Sequence, residues 1–166
     1  MLDGDVAPRS PAVVAFQQQT AKLQRAVMGA SSLTSETLTR VQALRRAIAE
    51  TPTADDRLAT DARMLEVKLR DIQVSLAGDN TMSRRSEPSV ASLVSRLNGI
   101  TNGLWSNTLD EPTNTQRRQY DIVAQEFQKI LAQLRPVIET DLRRVEESAE
   151  AAGAPWTSGR LPAWKP

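Results

Sequence analysis

The chain has 166 residues, 40% hydrophobic and 25% charged, with a formal net charge of +1. That length suits one domain with a sizeable core, and the near-neutral balance supplies no field to gather nucleic acid or an anionic membrane. Histidine and cysteine are both absent, which removes the commonest catalytic base, a leading metal ligand, the thiolate nucleophile and every disulfide.

The first residues, Met1 to Asp5, lack the basic and apolar regions of a signal peptide, and residues 1–9 read as a connector. Ser10-Pro11 then forms a helix start, an N-cap followed by proline at the first helical position. Val13, Phe16, Thr20, Leu23, Val27, Ala30, Thr34, Leu38, Val41, Leu44 and Ile48 step by three and four without losing phase. This spacing keeps one helical stripe against a partner. The helix runs to about Glu50, with Gly29, Ser31 and Ser32 as its weak point and a break into two helices as the alternative.

Thr53 is read as the cap of a second helix, with Asp55 and Asp56 favourable in its first turn. Its seam is Leu58, Ala62, Leu65, Leu69, Ile72 and Leu76, and Gly78-Asp79-Asn80 ends it. Residues 78–87 are a polar loop. A third helix is expected from near Pro88 to about Trp105, with Val90, Leu93, Leu97, Ile100 and Leu104 on one face. Thr113-Asn-Thr-Gln116 is a capping box for a last helix reaching about Ala152. It carries Tyr120, Val123, Phe127, Ile130, Leu134 and Val137 on its seam, and a kink is expected at Pro136, which removes the bond to the carbonyl of Ala132.

Two legs of about 40 residues and two inner helices that together match one leg predict an all-α, elongated antiparallel helical bundle with two long outer helices and an interrupted middle leg. A four-helix up-down bundle is the alternative. Residues 10–152 form the bundle and 153–166 a Trp- and Pro-containing C-terminal tail.

Chemical motifs are sparse. The arginine pairs Arg45-Arg46, Arg84-Arg85, Arg117-Arg118 and Arg143-Arg144 read as solvated helix faces rather than a phosphate stripe, because nearby acids cancel the field. The acids at Asp55-Asp56, Asp110-Glu111 and Glu139 to Glu150 read as helix surface. A glycosidase would need two of them fixed across a cleft. Glu36/Arg40, Glu66/Arg70 and Glu139/Arg143 have the spacing of i, i+4 pairs. Gly78-Asp79-Asn80 is a turn, since the spacing of a calcium loop is missing, and Gly99 and Gly103 mark either a close crossing or a frayed helix end. No catalytic, cofactor-binding or metal-ligating residue is assigned. The candidate docking residues are Trp105 and, in the aperiodic tail, Trp156, Leu161 and Trp164, large apolar side chains suited to packing on the bundle or on a protein partner.

The stretches Leu38-Thr-Arg-Val-Gln-Ala-Leu-Arg-Arg-Ala-Ile48, Arg96-Leu-Asn-Gly-Ile100, Glu111-Pro-Thr-Asn-Thr-Gln116 with Tyr120-Asp-Ile-Val123, and the tail from Ala154-Pro-Trp156 to Trp164 carry a resemblance. From about residue 20 onward the chain resembles the C-terminal helical region of large bacterial BNR-repeat, sortilin-like β-propeller proteins, often labelled glycosyl hydrolase or sialidase-like. The resemblance implies a domain of a longer extracellular or periplasmic protein, with any catalytic residues in the propeller and none on this chain. Residues 2–5 would then end a connector from that propeller. The expected role is a non-enzymatic interaction or assembly module whose partner is its own propeller, another copy of itself or a separate protein. A seam longer than three helices can cover would predict a homo-oligomer. The alternative is a structural part of a carbohydrate-active enzyme.

Overall fold

The computed structural model describes residues 10–79, 90–106 and 111–164, the side chains of 104–106 excepted. The first helix, α1 (Pro11–Ala49), is unbroken. Ser10 caps it, its hydroxyl accepting from the Ala12 N–H at 3.3 Å, and Pro11 takes the first turn, where its missing donor costs nothing. Gly29 does not divide the helix. It faces open space, so it weakens the helix locally without disturbing packing.

The second helix, α2 (Asp56–Ala77), starts two residues later than its threonine suggests. Asp55 is the N-cap, its carboxylate accepting from the Leu58 N–H at 2.7 Å. Thr53 instead donates its hydroxyl to the carbonyl of Ala152, tying the α1–α2 turn to the far end of the chain. Gly78 closes α2 at φ +91°, a conformation open to glycine. The connector at 1–9, the loop residues 80–87 and Pro88 lie outside the described residues.

The third helix, α3 (Leu93–Ser106), also begins late. The Ser92 hydroxyl accepts from the Ser95 N–H, and Val90 is 84% exposed ahead of the helix. Val90 is therefore not on the seam, whereas Leu93, Leu97 and Ile100 are buried there. The side chains of Leu104 and Trp105 lie outside the described residues. Gly103 approaches the first turn of the last helix, where an added Cβ would meet Gln116 at 3.2 Å, while Gly99 faces open space. The pair thus marks one close approach, not a two-glycine crossing.

The last rod comprises α4 (Asn114–Pro136), a π-helical turn (Val137–Leu142) and α5 (Arg143–Ala151). Its capping box is complete: Gln116 N–H donates to the Thr113 hydroxyl at 3.2 Å, and Thr113 N–H donates to Gln116 Oε1 at 2.9 Å. The helix continues through Pro136, and the irregularity directly after it is the π turn. A π turn takes up an extra residue, so the buried positions step by five from Val137 to Leu142 and then resume at Val145 and Ala149. The seam read from the sequence stopped at Val137 for this reason.

Contacts fix the topology. Phe16 meets Tyr120 edge-to-face at 5.7 Å between ring centroids, and Arg40 meets Glu146, so α1 and the last rod run in the same direction. Arg45 meets Glu66, Lys68 meets Asp141 and Arg96 meets Glu126, so α2 and then α3 run back against both. The architecture is an elongated antiparallel bundle of two long parallel legs and one interrupted return leg, and among the described residues no strand is present.

The core is one continuous, mainly aliphatic column that also takes in Phe16 and Phe127. Val27, Val41, Leu69, Leu76, Leu97 and Val123 are all essentially sealed from solvent, each burial stabilising by roughly 1.5–3 kcal/mol. Thr20 and Thr34 sit on the α1 seam because each hydroxyl donates back to the carbonyl one turn earlier, of Phe16 and Ala30, at 2.8 and 2.7 Å. That leaves their methyl groups to pack. The described seam side chains are covered within the chain, Leu23 and Tyr120 only partly. The premise that the seam exceeds what three legs can cover does not hold for them. No described helix is long and apolar enough to cross a membrane.

Candidate functional site

The tail is docked, and its geometry starts at the end of α5. Gly153, at φ +79°, turns the chain. Its N–H donates to the carbonyl of Glu150, and that of Ala154 donates to Ala149, both at 2.9 Å. This is the paired pattern that closes a helix with a left-handed glycine. Ala154 packs against the core, and Ser158 and Gly159 then lie over α1 beside Arg40.

The anchor is Arg160, a residue to which the sequence gives no special mark. Its side chain is only 9% exposed. It donates to Glu150 at 2.7 Å, lies 4.0 Å from Glu146 and stacks on Trp156 at 4.6 Å from the ring centroid. A cation over an indole face, with its charge matched by two carboxylates, is a favourable way to hold an extended segment. Glu146, itself buried, is gripped in bidentate fashion by Arg40: Nε donates to Oε1 at 2.6 Å and Nη2 to Oε2 at 2.7 Å. Gly159 fits against the guanidinium end of Arg40 so closely that an added Cβ would meet it at 3.3 Å.

Trp156 is therefore part of the docking contact, 40% exposed and covered on one face by Arg160. Leu161 and Trp164 are not: they stand 92% and 82% exposed. The helix end that bears Trp105 lies by Gln116, at the opposite end of the bundle. The structure brings Trp156, Leu161 and Trp164 to one end and leaves Trp105 apart. Residues 165 and 166 lie outside the described residues.

Part of the charged motifs is absorbed by pairing. Of the three i, i+4 pairs expected, Glu66–Arg70 forms at 2.6 Å. Arg40 turns to Glu146, Glu36 accepts from the Ser32 hydroxyl, and Arg143 faces Glu147 at 3.7 Å. Glu66 does more than its spacing suggests. It is buried, and it also accepts from Arg45 and Gln42 of α1, welding α1 to α2. Bonding from Arg70 holds its carboxyl below the usual value; desolvation opposes this, and Arg45 reinforces it by bond and charge. Arg144 faces Asp61, and Arg117 lies over the Phe16 ring. Arg84, Arg85 and Asp110 lie outside the described residues, as do those numbered 80–83. Among the described residues no cluster of acids has the arrangement of a metal site.

Comparison with protein-family models, with characterised proteins and with solved structures finds no match.

Proposed function

We propose that this chain is a non-enzymatic helical interaction module, the C-terminal accessory domain of a larger secreted propeller protein, and that Leu161 and Trp164 are its partner-facing side chains. The observation that carries this is the contrast within the tail. Residues up to Arg160 are anchored by buried charge pairing, while the next large apolar side chains project into solvent. A random flexible end would not be expected to hold a buried arginine directly before two exposed hydrophobic side chains, and such side chains commonly supply most of an interface's binding energy. The partners considered are the propeller of the same polypeptide and a second copy. The absence of histidine and cysteine, together with the pairing of the buried Glu66 and Glu146 with arginines, favours a module over a catalyst.

The test is sedimentation of the chain at high micromolar concentration and titration against the propeller portion of the longer protein. Association with one of the two is expected. Leu161→Ala/Trp164→Ala should weaken it about 30-fold or more, the scale of a hot-spot loss of at least ~2 kcal/mol. A strict monomer that also ignores the propeller would overturn the reading, as would a double variant that binds equally well.

A further inference from the structure

The return leg packs against both long legs but leaves open the furrow where those legs face each other. Its upper end is occupied by the tail, with Ser158 and Gly159 beside Arg40 and Arg160 against Glu146. The furrow continues past Ile138 and Glu139. It then opens into an apolar hollow of about 170 Å³ lined by Leu33, Leu131, Leu134 and Ile138, with Arg135 and Glu139 on the rim. Leu33 lines both the part under Gly159 and the hollow. Leu33 and Leu131 remain 45% and 39% exposed, and Leu161, the residue after the anchor, is 92% exposed.

We propose that this hollow is the seat of Trp164 from the chain's own tail, with Leu161 lying over the furrow on the way to it. The tail is then a strap with an open arrangement, the one seen here, and a closed one. Continuity singles out this occupant: the preceding tail residues already lie along the same furrow, and Arg160 fixes where the free part begins. Reach agrees for Trp164 at the near edge of the hollow: Glu139 lies two helical turns before Glu146, about 11 Å, and four extended residues span about 13 Å. Closure removes apolar surface from water on both sides without uncovering a charge, because Arg160 keeps Glu146 and Glu150 throughout. The inference rests on the proposed function and deepens it: the side chains offered to a partner are the ones the furrow covers, so partner and furrow compete.

The cysteine-free chain allows a direct test. Glu139→Cys/Ala163→Cys places one thiol on the rim and one between Leu161 and Trp164, both at exposed positions. Met64→Cys/Ala163→Cys, with its first thiol on α2, is the control. Under mild oxidation the rim pair is expected to form an intramolecular disulfide about tenfold faster than the control, the ratio of a populated closed state. Adding Leu161→Ala/Trp164→Ala should abolish the difference, with far-ultraviolet circular dichroism confirming the fold. Equal rates for rim and control would overturn the proposal. So would a disulfide that forms only between two chains, since the occupant would then be a second copy. Crosslinking reads the seat and the propeller titration reads the module role, so either can fail alone.

Discussion

Replacing Arg40 by alanine should expose how the two long legs are joined. Glu146 is 8% exposed at its side chain and accepts two bonds from Arg40, at 2.6 and 2.7 Å. Stripping a buried carboxylate of its partner costs about 3–5 kcal/mol. Here Arg160 remains 4.0 Å away and can move closer, so the loss should fall to about 2–3 kcal/mol. For a chain of this size that lowers Tm by about 5–10 °C. Urea unfolding followed by circular dichroism measures it, through a shift in midpoint at constant slope. Arg40→Met/Glu146→Leu removes both charges and keeps most of the volume, while Arg160 retains Glu150 at 2.7 Å. That double variant should return to within about 1 kcal/mol of the parent, because apolar replacement of a buried pair is often neutral. If Arg40→Ala loses less than about 0.5 kcal/mol, or the double variant loses as much as the single, the buried pair is not what joins the legs.

Glu66 ties stability to acid. Its pKa is lowered in the folded chain, so its contribution is complete above the ordinary glutamate value and drains as pH falls below about 4.3 through the lower folded value. Glu66→Gln should flatten that acid limb of a stability–pH curve, and an unchanged slope would contradict the assignment. The glycines at 29 and 153 should respond with opposite signs. Gly29→Ala, in an open helix interior, gains about 1 kcal/mol. Gly153→Ala, at φ +79° with nothing nearby to clash, loses about 1 kcal/mol; thermal melts of the two variants check the signs. Deleting Thr140 within the π turn should leave a folded helical protein, because the five-residue step from Val137 to Leu142 becomes an ordinary four. Deleting Lys129 rotates Ile130, Leu134 and Val137 by about 100° off a core where each is worth roughly 1.5–3 kcal/mol. That variant should not fold, and comparable melts for the two deletions would refute the role given to the turn.

Periodicity made the bundle legible because a three-four spacing has one physical reading. The residues predicted along α1 and α2 are those that pack, and even Thr20 and Thr34 hold their places by bonding to their own helix. Leg lengths then left little freedom in topology. What periodicity could not supply was anything decided between segments. Asp55 and Thr53 are both capping residue types, Asp the stronger. Asp55 takes the role, accepting from the Leu58 N–H, while the Thr53 hydroxyl donates to the carbonyl of Ala152, 99 residues away in sequence. The π turn left a trace, a five-residue step between buried positions, but a reading that admits only threes and fours breaks off there.

The tail shows the same limit more sharply. Trp156, Leu161 and Trp164 stood out because large apolar side chains outside a helical period need a reason. They do not share one reason. Trp156 is a platform for Arg160, and Leu161 and Trp164 lie beyond the anchor. The residue that divides them is a single arginine with no periodicity or motif, whose partners come from α5 and whose neighbour Gly159 rests on Arg40 of α1. Charge pairing across three segments carries no local signature, since an arginine in solvent and one buried between two carboxylates are written the same way. Arg160 turns an apolar tail into a positioned one. It fixes the point beyond which Leu161 and Trp164 stand exposed, and the proposed furrow seat and the proposed partner would compete for the same side chains.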